Sequence, residues 1–399
     1  TGTGSTNGTS LKVVPRGLRS FDAEDSDFFL ELLPGPRDRD GLPHSLRFWK
    51  TQIERSDTAE TFSVGLMYGP VGCGKSSLVK AGLLPRLDDE ILPIYIECTA
   101  ADTEVRLIKG LRKRCRDLPE DASLPAMLAQ LREQGGSDGR KVLLVLDQLE
   151  QWLHAHDAEQ QSQLVAALRQ CDGAGVQCLV LVRDDFYASL NRFFQQLEIP
   201  LVEGSNSALV DLFDKDHART VLMAFGCAYG RLPEGADTYS TEQSRFLDRA
   251  LEGLAEDGRI VCVRLALFAE MMKGRAWTEQ TLRSVGGTQG VGVTFLEETF
   301  SSRAAPPSHR PHQKAVEGIL QSLLPEPGSD IKGQMKSRAE LLTASGYQKR
   351  PTDFDALLKI LDGEVRLITP TELDQPSAGT ADAEKAGTAY YQLTHDYLV

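Results

Sequence analysis

The chain has 399 residues and a net charge of −13, and its hydrophobic share of 41% is ordinary for a folded protein. This acidic balance argues against broad binding to nucleic acid or anionic membranes, and the sequence shows no signal peptide and no apolar run of membrane-spanning length. Seven cysteines without C-x-x-C or zinc spacing are typical of a reducing compartment, so the sequence predicts a cytoplasmic protein of two or three domains.

Residues 1–14 have the Gly/Ser/Thr-rich composition of a flexible linker. The chain opens without Met and stops just after a motif, so we expect a fragment of a longer protein. A helix is predicted over 45–54, because its apolar residues are spaced for one buried face.

The stretch from Gly69 to Ser76 fits the pattern G-x-x-x-x-G-K-[ST] of a phosphate-binding loop. It lies between an apolar run typical of a buried strand and a stretch typical of a helix start, which is the context the motif requires. Glycines let backbone N–H groups converge on phosphate oxygens, and the helix N-terminus adds partial positive charge. We expect Lys75 to reach the β- and γ-phosphates of ATP and the Ser76 hydroxyl to hold Mg²⁺. The candidate nucleotide-binding residues of this loop are Gly69, Gly72, Cys73, Gly74, Lys75, Ser76 and Ser77.

From residue 62 onward strands and helices alternate, which predicts a parallel sheet with covering helices and strands beginning near 62, 91, 142, 176 and 208. The third strand ends in Asp147, a Walker B pattern in which the carboxylate holds Mg²⁺ or its bound water. Gln148 follows, where many hydrolytic P-loop ATPases have a glutamate that polarises the attacking water. The nearest acid is Glu150, so slow turnover and a role for Glu150 are both open.

The fourth predicted strand ends in Arg183, which is followed by two aspartates. A cation at a strand C-terminus is placed to sense the γ-phosphate, and the alternative is an ion pair with Asp184 or Asp185. We favour sensing. The candidate catalytic residues are Asp147, Glu150 and Arg183, and the candidate metal ligands are Ser76 and Asp147. The basic run on the helix expected near 104–116 is interpreted as a solvated face.

Beyond residue 213 the pattern becomes helical. Asp214 is a suitable N-cap for a first helix, and further helices are expected near 241–256, 261–273 and 292–302. Residues 304–399 carry three predicted helices and then two strands, the plan of a winged helix, with few cations for DNA contact. The sequence thus predicts an α/β class: a P-loop NTPase parallel sheet with covering helices over 15–213, followed by a helical lid domain over 214–303 and a winged-helix domain over 304–399.

Three stretches besides the phosphate loop carry a family resemblance. They are residues 15–29, the run Asp147-Gln148-Leu149-Glu150-Gln151-Trp152, and the run Gln392-Leu393-Thr394-His395-Asp396-Tyr397-Leu398. With them the chain resembles, over residues 15–399, the STAND class of signal-transduction NTPases, and within it the bacterial novel-STAND branch.

The resemblance implies an ADP/ATP-dependent molecular switch of a multidomain bacterial signalling or defence protein with weak ATPase activity. In this class ADP holds the nucleotide, helical and winged-helix domains closed, and the ATP-bound form opens and oligomerises. It also implies an effector domain and sensor repeats in the same parent chain. A winged-helix histidine that touches the β-phosphate of ADP matches His395. Two motifs of many relatives, Gly-Arg-Glu before the first strand and a Gly-x-Pro adenine contact, are missing here, so we assign no adenine contact.

Two other functions are open. A DNA-associated ATPase of the AAA+ type also joins a P-loop core, a lid and a winged helix, but it calls for a basic DNA-facing surface and a glutamate directly after Asp147. A small-molecule kinase would not need residues 214–399.

Overall fold

The computed structural model describes residues 21–99, 102–115, 118–156, 162–235, 238–303, 305–324, 335–365, 367–371 and 390–393. The chain divides into two compact units, one over Phe21–Phe213 and one that begins at Asp214. The predicted linker 1–14 and the candidate residue His395 lie outside the described residues.

The first unit is built on a five-stranded sheet. Its strands are β1 (Val64–Gly69), β2 (Ile91–Glu97), β3 (Lys141–Asp147), β4 (Val176–Arg183) and β5 (Ser207–Leu209). They lie in the order β2-β3-β4-β1-β5, and every neighbouring pair is parallel. The predicted α/β class with a parallel P-loop NTPase sheet is therefore confirmed. Because β4 lies between β1 and β3, the C-terminal ends of these three strands are adjacent.

Helices cover both faces of this sheet. They are α1 (Ser26–Leu32), α2 (His44–Glu54), α3 (Lys75–Ser77), α4 (Thr103–Arg114), α5 (Leu124–Glu133), α6 (Leu149–Ala155), α7 (Gln163–Leu168) and α8 (Tyr187–Leu197). Helix α3 continues as a π-helical stretch over Leu78–Leu83 and a 3₁₀ turn over Leu84–Arg86. Side chains alternate between faces along each strand. Leu143 and Val145 therefore share one core with α1, α2 and the helix after the loop, while Leu144 and Leu146 share the other with α4 to α8.

Helix α8 was not predicted, although it buries Leu190, Phe193, Phe194 and Leu197. The residue before it, Phe186, makes no side-chain cap hydrogen bond, and a 3₁₀ turn over Asp184–Phe186 leads directly into the helix. The sequence therefore lacks the Ser, Thr, Asp or Asn start signal on which helix prediction depends. The amphipathic helix expected over 45–54 is present as α2, with Leu46, Trp49 and Ile53 buried.

The second unit is mainly helical. Its helices are α9 (Lys215–Ala228), α10 (Thr241–Leu254), α11 (Cys262–Met271), α12 (Glu279–Ser284), α13 (Gly287–Phe300), α14 (Gln313–Leu323), α15 (Arg338–Ala344) and α16 (Pro351–Lys359). Asp214 caps α9 as predicted, since its Oδ1 accepts a hydrogen bond of 2.7 Å from the His217 N–H. No helix among the residues that the structure describes is long and apolar enough to cross a membrane.

Short strands accompany these helices. They are β6 (Phe213–Asp214), at the junction of the two units, the antiparallel pair β7 (Ala255–Glu256) and β8 (Arg259–Ile260), and β9 (Lys336–Ser337), β10 (Ile368–Thr371) and β11 (Tyr390–Leu393). The last three form an antiparallel sheet in the order β10-β11-β9. β10 and β11 correspond to the two predicted strands, and β9 was not predicted. The winged-helix assignment and the division at residue 303 remain predictions.

Candidate nucleotide-binding site

The loop after β1 is shaped by its glycines. A Cβ atom on Gly69 would lie 2.0 Å from the carbonyl oxygen of Val210, so only glycine fits there. Gly72 and Gly74 have φ angles of +72° and +96°, in the left-handed region that glycine adopts readily. Gly74 is the N-cap of α3. A turn of this kind, followed by a helix start, presents successive backbone N–H groups to an anion.

Lys75 lies across this loop. Its Nζ donates to the carbonyl oxygens of Gly69 at 2.7 Å and Pro70 at 3.0 Å, and it is 3.5 Å from the Sγ of Cys73. Cys73 is buried, and this burial raises the pKa of its thiol against the opposing influence of the Lys75 charge. The ammonium group is thus held inside the loop, while the thiol beside it keeps its proton at neutral pH.

The carboxylate of Asp147 is buried at the end of β3, on the face that carries α3. Its Oδ1 accepts a hydrogen bond of 2.9 Å from the Gln148 N–H, and its Oδ2 accepts one from the Tyr95 hydroxyl. Of the two candidate metal ligands, Asp147 is therefore oriented by protein groups at both of its oxygens.

The donors present fit a magnesium ion. Hydroxyl and carboxylate oxygens are the hard ligands that Mg²⁺ prefers, and at nucleotide sites it is held by one or two protein oxygens together with phosphates. Across the described parts of the chain, no group of three or more His, Cys, Asp or Glu side chains is arranged to hold a metal. Ser76 and Asp147 thus suit an ion shared with a nucleotide.

A second buried acid, Glu150, follows Asp147 by three residues. Gln148 has a left-handed φ of +58° and is the N-cap of α6, in whose first turn Glu150 lies. Glu150 is only 6% exposed, and its Oε2 has no hydrogen-bond partner in the structure described. Burial raises the pKa of Glu150 to about 7; the Asp147 charge adds to this, and Lys75 and Arg183 oppose it. A carboxyl group with a pKa near neutrality can give or take a proton at physiological pH.

Glu150→Gln is expected to raise thermal stability at pH 8 and to change it little at pH 4. In the folded protein the pKa of Glu150 is about 7, above the ordinary 4.5. The folded state therefore binds this proton more tightly than the unfolded state does. The resulting contribution to stability is fully present below pH 4.5 and is lost as pH rises through 7. The full effect at pH 8 is on the order of 3 kcal/mol. Melting curves between pH 4 and 8.5 test this, with the exposed Glu133→Gln as control. A difference from wild type that stays constant with pH would contradict it.

Arg183 is engaged in an ion pair. Its Nε donates to Asp185 Oδ1 at 3.1 Å, its Nη2 bonds the other carboxylate oxygen, and its guanidinium lies 5.6 Å from the centre of the Phe186 ring. The structure therefore has the aspartate pairing that the sequence offered as the alternative. The register of β1 and β4 places Arg183 opposite Gly69, next to the loop. Sensing of the γ-phosphate remains a prediction.

With this geometry in view, sequence comparison gives the family. A sequence model described as Novel STAND NTPase 1 matches residues 16–399. The chain belongs to the novel STAND NTPase 1 family. The resemblance predicted from the loop, the Asp147 strand and the C-terminal motif is thereby confirmed, and this novel STAND NTPase is a nucleotide-binding protein. His395 and the rest of the C-terminal motif after Leu393 lie outside the residues that the structure describes.

Solved structures of low identity resemble this novel STAND NTPase along most of its length. A Walker-type ATPase of Pyrococcus abyssi is 17% identical, with 92% of this chain and 98% of that chain covered and a TM-score of 0.45. The ORC2 protein of Aeropyrum pernix is 14% identical, with 91% of each chain covered and a TM-score of 0.46. None of the curated proteins matches significantly. Because these TM-scores are below 0.5, the family assignment depends on the sequence match alone.

Sequence reasoning missed two residues beside the site. Tyr95 was not singled out, although strand alternation places it on the same face as Glu97, the register partner of Asp147. Arg106 was interpreted as part of a solvated helix face. In the novel STAND NTPase its Nε and Nη2 are buried without a hydrogen-bond partner in the described structure, and its Nη1 donates to the Glu97 carbonyl at 3.3 Å. The solvated-face interpretation is therefore wrong for Arg106.

Proposed function

We propose that this protein is an ADP/ATP-dependent molecular switch of a multidomain bacterial signalling or defence protein, closed with ADP and oligomerising with ATP. One observation carries the proposal: a complete phosphate loop stands beside a buried Asp147 that is followed by Gln148 in a left-handed turn. The amide of Gln148 cannot act as a general base, so the site is suited to hold a nucleotide longer than it hydrolyses one. In the parent chain we expect an effector domain and sensor repeats as partners.

In this proposal the backbone of Gly69–Ser77 cradles the phosphates, and Lys75 exchanges its carbonyl partners for the β- and γ-phosphate oxygens. Ser76 and Asp147 hold Mg²⁺, which neutralises part of the phosphate charge when bound. These roles agree with the position of each side chain at the C-terminal edge of the sheet, where ligands bind in open α/β folds.

Glu150 is proposed to take the proton of the attacking water through an indirect path, since it lies two residues beyond the usual position, which Gln148 occupies. Arg183 is proposed to leave Asp185 for the γ-phosphate when ATP is bound. Both steps require rearrangement, so turnover is expected to fall well below the roughly 10 per second of a median enzyme. Phosphate release from ATP measures this, and rapid multiple turnover would contradict it.

Purified protein is expected to carry ADP. Denaturation followed by chromatography of the released nucleotide tests this, and recovery of empty protein with only weak ADP affinity would count against the switch. ADP added back to stripped protein should raise the free energy of unfolding by about 2.7 kcal/mol at a hundredfold excess over its dissociation constant. Light scattering in ADP and in a non-hydrolysable ATP analogue tests the oligomerisation; the same mass in both would reject it.

His395→Ala is expected to speed ADP release while leaving ATP release unchanged. The support is the match of Thr394-His395-Asp396-Tyr397-Leu398 to the family motif whose histidine touches the β-phosphate of ADP. Stopped-flow displacement of a fluorescent ADP measures the rate, with the exposed His44→Ala as control. Unchanged release in the variant would leave His395 with a structural role.

A further inference from the structure

We propose that Tyr95 is a positioning residue for the metal ligand Asp147, and that its hydroxyl holds the Asp147 carboxylate in the orientation that accepts Mg²⁺. This inference rests on the proposed nucleotide-binding function. It assigns a role to a strand residue outside the loop and outside the Walker B segment.

The register of the sheet explains how Tyr95 reaches Asp147. Tyr95 pairs with Val145, and Glu97 pairs with Asp147, so Tyr95 lies two residues short of the carboxylate along the strand direction. Two residues of a strand span about 6.6 Å, a distance that the long phenol side chain bridges. Its hydroxyl donates a hydrogen bond to Asp147 Oδ2.

The ring of Tyr95 is held by a cation over its face. The Nζ of Lys80 lies 4.5 Å from the ring centroid, and the same ammonium group donates to Glu97 Oε1 at 2.9 Å. A cation fixed over the ring face by a carboxylate stabilises one ring position. The contact with Lys80 therefore helps to orient the Tyr95 hydroxyl toward Asp147.

The number of lone pairs left on Asp147 decides whether Tyr95 positions this ligand or blocks it. A phenol hydroxyl has one proton, and Tyr95 gives it to Asp147 Oδ2. Asp147 receives one hydrogen bond on each oxygen, from Tyr95 and from the Gln148 N–H, and each oxygen keeps a lone pair.

Hydrogen bonds from outside a metal site orient its ligands, and their loss commonly costs about 10- to 100-fold in metal affinity. Tyr95→Phe removes the hydroxyl and keeps the ring beneath Lys80. The test measures the affinity of a fluorescent ADP in EDTA and across a Mg²⁺ titration, for wild type and variant. We expect the affinity in EDTA to change less than about twofold and the half-effective Mg²⁺ concentration to rise about 10- to 100-fold. The control is Tyr229→Phe, which removes a 2.6 Å tyrosine–carboxylate bond to Glu270 in the other unit.

A Mg²⁺ requirement equal to that of wild type would overturn the role of Tyr95. A lower requirement would also overturn it, because the hydroxyl would then compete with the metal. An equal loss of ADP affinity with and without Mg²⁺, together with a lower melting temperature, would make Tyr95 a structural residue only. If wild type binds no ADP, or binds it without any Mg²⁺ effect, the proposed function fails and this inference fails with it.

Discussion

Lys75→Ala is expected to weaken ADP and ATP binding by at least about 100-fold, which abolishes binding at ordinary concentrations. Hydrogen bonds to charged groups contribute about 1.5–3 kcal/mol each, and every 1.4 kcal/mol is tenfold in affinity. The loss of Lys75 removes the cation held at the loop and leaves the carbonyls of Gly69 and Pro70 without this donor. No other lysine side chain in the described structure is hydrogen-bonded to these two carbonyl oxygens.

Calorimetric titration of stripped protein with ADP measures the effect. The matched control is Lys113→Ala, which removes an exposed cation from α4 in the same unit. Melting curves without nucleotide should be similar for Lys113→Ala and wild type, and should show a single cooperative unfolding transition for Lys75→Ala, so that its loss of binding is not a loss of folding. A normal ADP titration for Lys75→Ala would refute the assignment of the phosphate loop.

Gly69→Ala is expected to destabilise the first unit by about 3 kcal/mol or more, an effect in the range of severe steric substitutions. The new Cβ would lie 2.0 Å from the Val210 carbonyl oxygen. That carbonyl belongs to a segment fixed to β1, because the Val210 N–H donates to the Tyr68 carbonyl at 2.8 Å. Relief of the clash therefore requires a shift of this segment or of the loop, next to the β1–β5 pairing.

Gly74→Ala is the matched comparison within the same loop. A Cβ there would meet nothing within 4 Å, so the cost is that of a non-glycine residue at φ +96°, about 1–2 kcal/mol. Urea unfolding without nucleotide should show a large loss for Gly69→Ala and a small one for Gly74→Ala. Equal losses would show that the close approach to Val210 does not decide the stability of the loop.

The sequence predicted the parts of this site that lie on one continuous segment. The loop from Gly69 to Ser76 and the strand that ends in Asp147 each carry a local pattern, and both occur where their motifs require. Tyr95 could not be found in this way. Its importance depends on the parallel register of β2 with β3 and on its hydrogen bond to Asp147, and neither is encoded in neighbouring residues.

Two side chains at the site were singled out by sequence, but their surroundings were not. Glu150 is buried because Gln148 adopts a left-handed conformation that begins α6, and glutamine gives no sequence signal for such a turn. For Arg183 the sequence allowed two partners, a phosphate or an aspartate. The structure has an ion pair with Asp185, a contact between residues two apart in the chain. The order of the strands could not be predicted from the sequence either. β4 lies between β1 and β3, and its pairing with β1 joins residues that are far apart in the chain.

The position of β4 has a mechanical consequence. It separates the loop strand β1 from the carboxylate strand β3, and it is bonded to both along its length. The distance between the loop strand and the carboxylate strand is thus two strand spacings, about 9.6 Å, and the backbone hydrogen bonds of the β1–β4 and β4–β3 pairs maintain it. The sheet therefore fixes the separation between the phosphate loop and the Asp147 carboxylate. In the proposed switch, a change of nucleotide would thus act through side chains that can turn, such as Arg183.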